Sequence, residues 1–527
     1  MKRYEKTSNF IFLWRDLALI SENIRIFAPK KHEASYHIFM KAKQIFRLLT
    51  IGIVSLMPSL TCAQLRPLEG WEPGDHLLIP IIQYRIADFY ANKKLMGLNL
   101  YNIQGEVMTP NQGGDNLKFD YVPGLVAKAI IEAAQVNSNS GFAKSWFYSV
   151  EDYANRCAKS VPTTGKSLDD LNATKMYFAL YDLTDPETGA FKDIAKPETH
   201  ANAKMAMERA IQGLKDVKEH YAIPASLSRE CAGGWWHKEV YPNQMWCDGQ
   251  YMGPALLAQM IHYGYTIDGA EEDWKTITRQ FDITWHKLWD PKEQLLWHAF
   301  SADPKGEKAR LWADPKTGRS KEYWGRACGW YFLALVDVLE FMPEGIKMKP
   351  TQSTLQGLSS DCRERLLYYL NTLAEGLVRR QDKATGCWYQ LLAHDGDFTV
   401  CEYQGQTFEP VSNYLESSAS SIFTATLLKG MRLGLLSKEK YENNAEVAMQ
   451  GLVKQFLRVR EDNGTWTLID DCASAGLGGA SWGVRDGSAA YYLLGNDVTR
   501  ITDYTEGKVY GAFILAATEY ERRTADK

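Results

Sequence analysis

Two kinds of helical segment alternate along this chain, six of each, and the alternation restricts the fold more than any other feature. One kind is amphipathic and charged, with apolar residues at helical spacing on one face: Leu78–Leu95, Ala143–Ser160, Asn202–Tyr221, Glu271–Leu288, Asp361–Gln381 and Lys438–Arg458. The other opens on polar and small residues and then turns apolar: Asp120–Ala134, Ser167–Leu183, Cys247–Tyr263, Gly325–Phe341, Glu416–Leu435 and Thr505–Glu521. Related turns punctuate the alternation, such as Asp382-Lys383-Ala384-Thr385-Gly386-Cys387-Trp388 and Asp462-Asn463-Gly464-Thr465-Trp466. A recurring supersecondary unit marks a repeat architecture. Six such hairpins close into an all-α (α/α)6 barrel, a six-hairpin toroid with the apolar helices inside. An open solenoid built from the same hairpins is the alternative. The closed form is favoured because the apolar helices begin with chemically useful polar residues. A ring gathers those starts at one cavity mouth, whereas a solenoid strings them along a groove. No linker or low-complexity stretch interrupts the pattern, so residues 64–527 read as a single catalytic domain.

The beginning of the chain is read separately. Met40 to Arg47 is a basic stretch, Leu48 to Leu60 is apolar, and Thr61-Cys62-Ala63 supplies small residues before Gln64. This is the pattern of a secretory signal over residues 40–63, and its apolar run is too short for a membrane-spanning helix. It predicts export to the periplasm, with Met40 as the true start and residues 1–39 as upstream sequence. Eight cysteines follow it, scattered without a C-x-x-C pair or metal-ligand spacing, which reads as buried small hydrophobes more than a disulfide framework.

Composition narrows the partner. Net charge is −4, which argues against nucleic acid or an anionic membrane. Aromatics make up 12% of the chain, with 16 Trp and 28 Tyr, a surplus that suits a cleft for sugar rings as well as core packing.

The residues before and at the start of the apolar helices carry the chemistry. The second offers Asp169 and Asp170, and the third His237, Lys238, Trp246 and Asp248. Before the fourth come His298 and Trp324, and within it Arg326 and Trp330. The fifth opens on Glu416, read as a helix-start residue. Asp248 stands where a polar, aromatic loop meets a buried helix; apolar surroundings raise a carboxyl pKa there and helix amides lower it. The plain alternative is an N-cap. A second carboxylate nearby, Asp169 with Asp170 as its alternative, would separate the two pKa values. Arg326 has the fork geometry for a substrate carboxylate.

His237-Lys238-x-x-Tyr241-Pro242-x-Gln244-Met245-Trp246-x-Asp248-Gly249-x-Tyr251-Met252 resembles a motif of the unsaturated rhamnogalacturonyl hydrolases, glycoside hydrolase family 105. So do Trp324-x-Arg326-x-x-Gly329-Trp330, Leu168-Asp169-Asp170-x-Asn172 and Leu415-Glu416-Ser417-Ser418-Ala419. The resemblance implies an (α/α)6 barrel that removes a 4,5-unsaturated galacturonyl residue from rhamnogalacturonan oligosaccharides by hydrating its enol-ether double bond. It implies Asp248 as general acid and then base, and Asp169 as the second carboxylate. His237, Lys238, Trp246, His298, Trp324, Arg326 and Trp330 match substrate-contacting positions, and no metal or other cofactor is required. Cys247, Gln250 and Cys328 depart from the family pattern and bear on the aglycone site. Two rivals accompany this reading: an unsaturated glucuronyl hydrolase for glycosaminoglycan or ulvan fragments, and a non-catalytic glycan-binding toroid.

Overall fold

In a computed structural model the described residues are 65–82, 98–109, 117–462, 464–480 and 483–525. The signal read over residues 40–63 lies outside them, and only residues 78–82 of the first amphipathic segment are included. In chain order the helices are α1 (Tyr121–Val136), α2 (Gly141–Cys157), α3 (Leu168–Asn172), α4 (Met176–Leu183), α5 (Thr199–His220), α6 (Cys247–Met252) and α7 (Pro254–His262). They continue as α8 (Ala270–Leu288), α9 (Gly325–Phe341), α10 (Cys362–Arg379), α11 (Ser417–Arg432), α12 (Lys438–Gly451), α13 (Ala489–Leu494) and α14 (Gly507–Ala525).

The apolar helices close a ring. α1 packs on α3 and α4, α3 on α6, α6 and α7 on α9, α9 on α11, α11 on α14, and α14 back on α1. That last contact excludes the open solenoid and establishes the six-hairpin toroid. The amphipathic helices stand outside: α2 against α1, α5 against α4, α8 against α7, α10 against α9 and α12 against α11. Their sequences fit that position. α8, for example, carries Glu271, Glu272 and Asp273 in its first turn and His286 and Lys287 in its last, each matching the helix dipole. By contrast, α9 is buried continuously from Gly325 to Leu339, as its unbroken apolar run requires.

Two inner helices are interrupted where the sequence pattern reads as continuous. Between α6 and α7 stands Gly253-Pro254; proline has no N–H to donate and its ring disfavours a helical residue before it. The interruption frees the carbonyl of Tyr251, which accepts from Asn172 Nδ2 at 3.0 Å and from Lys175 Nζ at 2.8 Å. Asn172 ends α3, and Lys175 belongs to the 3-10 turn that separates α3 from α4. The two breaks therefore face each other, and each supplies what the other lacks. Burial holds the Lys175 ammonium well below the usual lysine pKa, with Asp337 opposing the shift from 3.9 Å.

At the far end of the ring a cavity of about 260 Å3 is lined by Asp182, His262, Asp337 and Lys429, among others. Lys429 pairs there with Asp337 and Glu340, both at 2.7 Å. The eight cysteines are free thiols, seven of them buried and Cys401 exposed on the hairpin of residues 399–412.

The ring leaves little room between its members. A Cβ on Gly124 of α1 would stand 2.5 Å from the Ala173 Cα and 2.6 Å from its Cβ. Gly124→Ala gains about 1 kcal/mol of helix propensity but incurs an overpacking cost of about 1–3 kcal/mol against backbone. A lower denaturation midpoint is the expected result, and an unchanged or raised midpoint would show that the contact between α1 and the 3-10 turn after α3 is looser than this spacing.

Candidate active site

Two backbone pairings assemble the site. Strands β1 (Gln244–Trp246) and β2 (Ala299–Ser301) run antiparallel, with Trp246 opposite Ala299, and Cys247 N–H donates to the His298 carbonyl at 3.0 Å. This ladder sets Asp248 beside His298, fifty residues away in sequence. Similarly, Leu168 N–H donates to the His237 carbonyl at 3.2 Å and Glu239 N–H to the Lys166 carbonyl at 2.7 Å. That pairing sets Asp169 beside His237 and Lys238.

Asp169 and Asp248 occupy equivalent places: each is the second residue of its helix, α3 and α6. Neither is an N-cap. Ser167 caps α3 by accepting from the Asp170 amide, and Trp246 precedes α6 without a side-chain cap. The plain alternative for Asp248 is thereby excluded, and its carboxylate is free for another use. Arg326, Ser418 and Lys508 hold the same second position in α9, α11 and α14.

The two carboxylates have different surroundings. Asp169 is ion-paired, with Lys238 Nζ at 2.5 Å from Oδ2 and His237 Nε2 at 3.3 Å from Oδ1. It is Asp169, and not its neighbour Asp170, that meets this pair. Burial and the charge of Asp169 raise the Asp170 pKa. Asp248 is buried to a similar degree, with Oδ2 at 3.4 Å from His298 Nε2. That contact is close but not well directed, for neither atom has an aligned hydrogen-bond partner among the protein groups. Burial favours the neutral acid, but the His298 contact, the His298 and His237 charges and the residue's own amide outweigh it and hold Asp248 below the usual carboxylate range. His237 is lowered by burial, which overrides its proximity to Asp169.

The aromatic residues divide by what covers them. Trp246 stacks on His237, at 4.9 Å and 5°, and on Tyr241, at 4.9 Å and 19°, and its edge meets His298. It thus positions His237. A small apolar cluster of Trp246, Ala299, Trp312 and Leu477 holds the segment around residue 312 over this point. Trp324 precedes α9, donates from Nε1 to Gln390 Oε1 at 3.1 Å and stands 4.8 Å from the His298 ring. Trp330 lies further along α9, stacked on Tyr251 in the core at 4.6 Å.

Arg326 is buried in a network of its own. Nη1 donates to the Cys472 carbonyl at 2.6 Å, Ser418 Oγ at 3.1 Å and Asp471 Oδ1 at 3.2 Å, and Glu416 Oε1 is 3.9 Å away. The guanidinium also lies 4.6 Å from the Trp324 ring. Glu416 caps α11, accepting from the Ser418 and Ala419 amides and from the Cys472 amide. Its reading as a helix-start residue holds. Burial drives Asp471 well above the usual carboxylate pKa against the pull of Arg326, with the Glu416 charge adding to the rise.

Two residues of the site carry no signal in the sequence. Tyr121, the first residue of α1, is close enough to Arg326, Asp169 and Asp248 for their charges to act on its phenol, which burial raises. Tyr492 of α13 meets His298 Nδ1 with its hydroxyl at 2.6 Å. Tyr121 belongs to an inner helix of the alternating pattern, and Tyr492 to a short helix outside it. Among the described residues no group of three or more His, Cys, Asp and Glu is placed to hold a metal ion, and no helix is long and apolar enough to cross a membrane.

Comparison with known proteins agrees with this geometry. The model of Glycosyl Hydrolase Family 88 matches residues 102–524. The solved structure of a glycoside hydrolase from family 105 of C. acetobutylicum ATCC 824 is 30% identical, covers 76% of this chain and 94% of its own, and superposes with a TM-score of 0.57. Protein Atu3128 of Agrobacterium fabrum (strain C58 / ATCC 33970) is 33% identical over 185 residues, 34% of this chain and 66% of that protein. An unsaturated 3S-rhamnoglycuronyl hydrolase of Formosa agariphila is 22% identical over 260 residues, 49% of this chain and 58% of that protein. The chain thus spans just under two thirds of the first of these relatives and less of the second. On the family match and the solved structure, the chain belongs to Glycosyl Hydrolase Family 88, alongside the family 105 glycoside hydrolases that it resembles.

Proposed function

We propose that this protein hydrates the 4,5 double bond of an unsaturated uronic acid at the non-reducing end of an oligosaccharide, with Asp248 as acid and then base. One observation carries the reading: of two carboxylates at equivalent helix starts, Asp169 is held in a close ion pair, while Asp248 keeps a buried oxygen without an aligned protein donor. Ordinary glycoside hydrolysis asks two carboxylates to work on opposite sides of the scissile bond. Hydration asks for one acid–base group, and Asp248 supplies it. Protonation of C4 by the Asp248 carboxyl makes a cation shared by C5 and the ring oxygen. Water adds to C5 and returns a proton to the Asp248 carboxylate. The resulting hemiketal opens to a 5-keto-4-deoxyuronate and releases the aglycone as an alcohol, so that one water is consumed overall.

The cations at the mouth suit the anionic sugar, with Arg326 as the partner of the uronate carboxylate and Lys238 beside Asp169. The starts of the inner helices add their positive ends to the same region. His237, His298 and Trp324 complete the pocket wall, with Trp246 and Trp330 supporting it from behind. The substrate we propose is rhamnogalacturonan-derived, an unsaturated galacturonyl residue on rhamnose, which places the protein in pectin breakdown after export. A second reading is an unsaturated glucuronyl hydrolase for glycosaminoglycan or ulvan fragments; the Formosa agariphila relative, an unsaturated 3S-rhamnoglycuronyl hydrolase, keeps a substrate other than pectin open.

Asp248 is a carboxylate at neutral pH in the free protein, because its pKa is lowered. A bound uronate adds negative charge and excludes water, and both raise that pKa. Substrate binding at neutral pH is therefore expected to take up protons, which calorimetry in two buffers of different ionisation heat detects. Asp248→Asn should bind without that uptake and lose about 10²–10⁴-fold in kcat; full turnover by this variant would remove Asp248 from the chemistry and leave a glycan-binding toroid in play.

The substrate is settled by following the ultraviolet absorbance of the conjugated double bond. Loss of absorbance and release of rhamnose from unsaturated galacturonyl–rhamnose is the expected outcome. Loss only with an unsaturated glucuronyl disaccharide would keep the mechanism and move the substrate. Export is checked by the N-terminus of protein recovered from the periplasm, expected at Gln64; an N-terminus well upstream would overturn that expectation.

A further inference from the structure

The imidazole beside Asp248 is itself held from behind. His298 is wholly buried; Nε2 faces Asp248 Oδ2 at 3.4 Å, and Nδ1 meets the Tyr492 hydroxyl at 2.6 Å. Tyr492 is equally buried, its ring 6.2 Å from Trp324 and 5.1 Å from Tyr491. It comes from α13, a six-residue helix that lies outside the alternating pattern and is capped by Ser488. Its neighbour Tyr491 does a different task. The Tyr491 hydroxyl accepts from the Gly476 amide at 2.9 Å and donates to Asp497 Oδ2 at 3.1 Å, tying together the chain before and after α13.

A neutral imidazole carries one proton, and the partner of one nitrogen decides which nitrogen has it. If the Tyr492 hydroxyl accepted from Nδ1–H, the Nε2 lone pair would point at the Asp248 carboxylate, and the phenol proton would have no acceptor among the described residues. If the hydroxyl donates to Nδ1, the proton sits on Nε2 and faces the carboxylate. The second arrangement gives the phenol an acceptor and turns a donor, 3.4 Å away, toward the carboxylate. We propose that Tyr492 is a positioning residue for the acid–base step, whose hydroxyl donates to His298 Nδ1 and so fixes the imidazole tautomer that presents Nε2–H to Asp248.

In this role the phenol orients and does not supply a proton. Burial, reinforced by the nearby charges of Glu322 and Asp248, keeps it protonated far above its ordinary pKa. The titratable groups close enough to exchange charge effects with Asp248 are His298, His237, Tyr121, Tyr492 and the buried thiols of Cys247 and Cys328. Of these, only His298 offers a donor within 3.4 Å. Nε2–H thus stabilises the carboxylate before substrate arrives and again as it accepts the proton from water. The segment around α13 therefore reaches the reaction through one hydroxyl.

This inference rests on Asp248 as the acid–base group, and its test separates the two. In the full-length processed protein, Tyr492→Phe should lower kcat about tenfold with KM within about twofold, since one orienting hydrogen bond is lost and no substrate contact. Losing the donor that favours the carboxylate raises the Asp248 pKa, so the limb of the kcat/KM profile that Asp248 sets should move to higher pH. Tyr491→Phe, which loosens the same segment, should leave that limb in place. Wild-type kcat and an unmoved limb in Tyr492→Phe would overturn the proposal, as would an equal shift in Tyr491→Phe. A second measurement needs no substrate: 15N spectra of histidine-labelled wild-type protein, with His298 assigned by its loss in His298→Gln. The Nε2–H tautomer at neutral pH is expected. An Nδ1–H tautomer or an imidazolium would refute Tyr492 as the donor even if the proposed reaction proved wrong for other reasons.

Discussion

A helix that is apolar on every side needs neighbours on every side, and a row of such helices leaves one uncovered at each end. Closure removes both ends, and here the contact between α14 and α1 does so. The consequences reach well beyond stability. Because each inner helix after α1 follows an outer one that returns the chain, the inner helices enter the ring from the same end. Their first turns, with the loops before them, have nowhere to go but one mouth. The geometry of the site is thus a by-product of burying apolar surface.

Within that mouth a single helical position recurs with polar side chains. In five of the six inner helices the second residue is Asp169, Asp248, Arg326, Ser418 or Lys508; in α1 it is Val122. A side chain there follows the first residue past the cap, so it lies near the helix start but is not consumed in capping. Anions at that position gain from the dipole and cations do not. Arg326 accordingly sits between Asp471 and the α11 cap Glu416, and Lys508 stands 3.1 Å from Glu506. A buried cation is tolerable when its neighbours balance it and accept its hydrogen bonds, and here Nη1 also donates to the Cys472 carbonyl and the Ser418 hydroxyl.

This explains what was legible from residues alone. The alternation of helix types is written in every turn of the chain, so the ring was readable, and so were residues that open an inner helix within a dense polar motif. Asp248 and Asp169 are of that kind. The breaks at Gly253-Pro254 and at residues 173–175 were harder, because the apolar pattern runs through both; only the need to satisfy the Tyr251 carbonyl links Asn172 and Lys175 to them. Tyr492 was out of reach. Nothing in Ser488-Ala489-Ala490-Tyr491-Tyr492 distinguishes a phenol that orients an imidazole from one that packs, and its partner is 194 residues away.

Trp246 and Trp330 show the same limit from the other side. In sequence an aromatic next to a catalytic carboxylate looks like a surface for a sugar, since sugars and tryptophans suit each other. In the folded chain Trp246 stacks on His237 and on Tyr241, and Trp330 stacks on Tyr251. Aromatic rings are large enough that a buried neighbour usually claims a face first. His237 approaches Asp169 at 3.3 Å with its ring held parallel to Trp246, so the tryptophan acts on the site through the histidine it immobilises. The site is therefore built in two layers: polar groups at the helix starts, and aromatic rings that leave those groups no freedom to turn away.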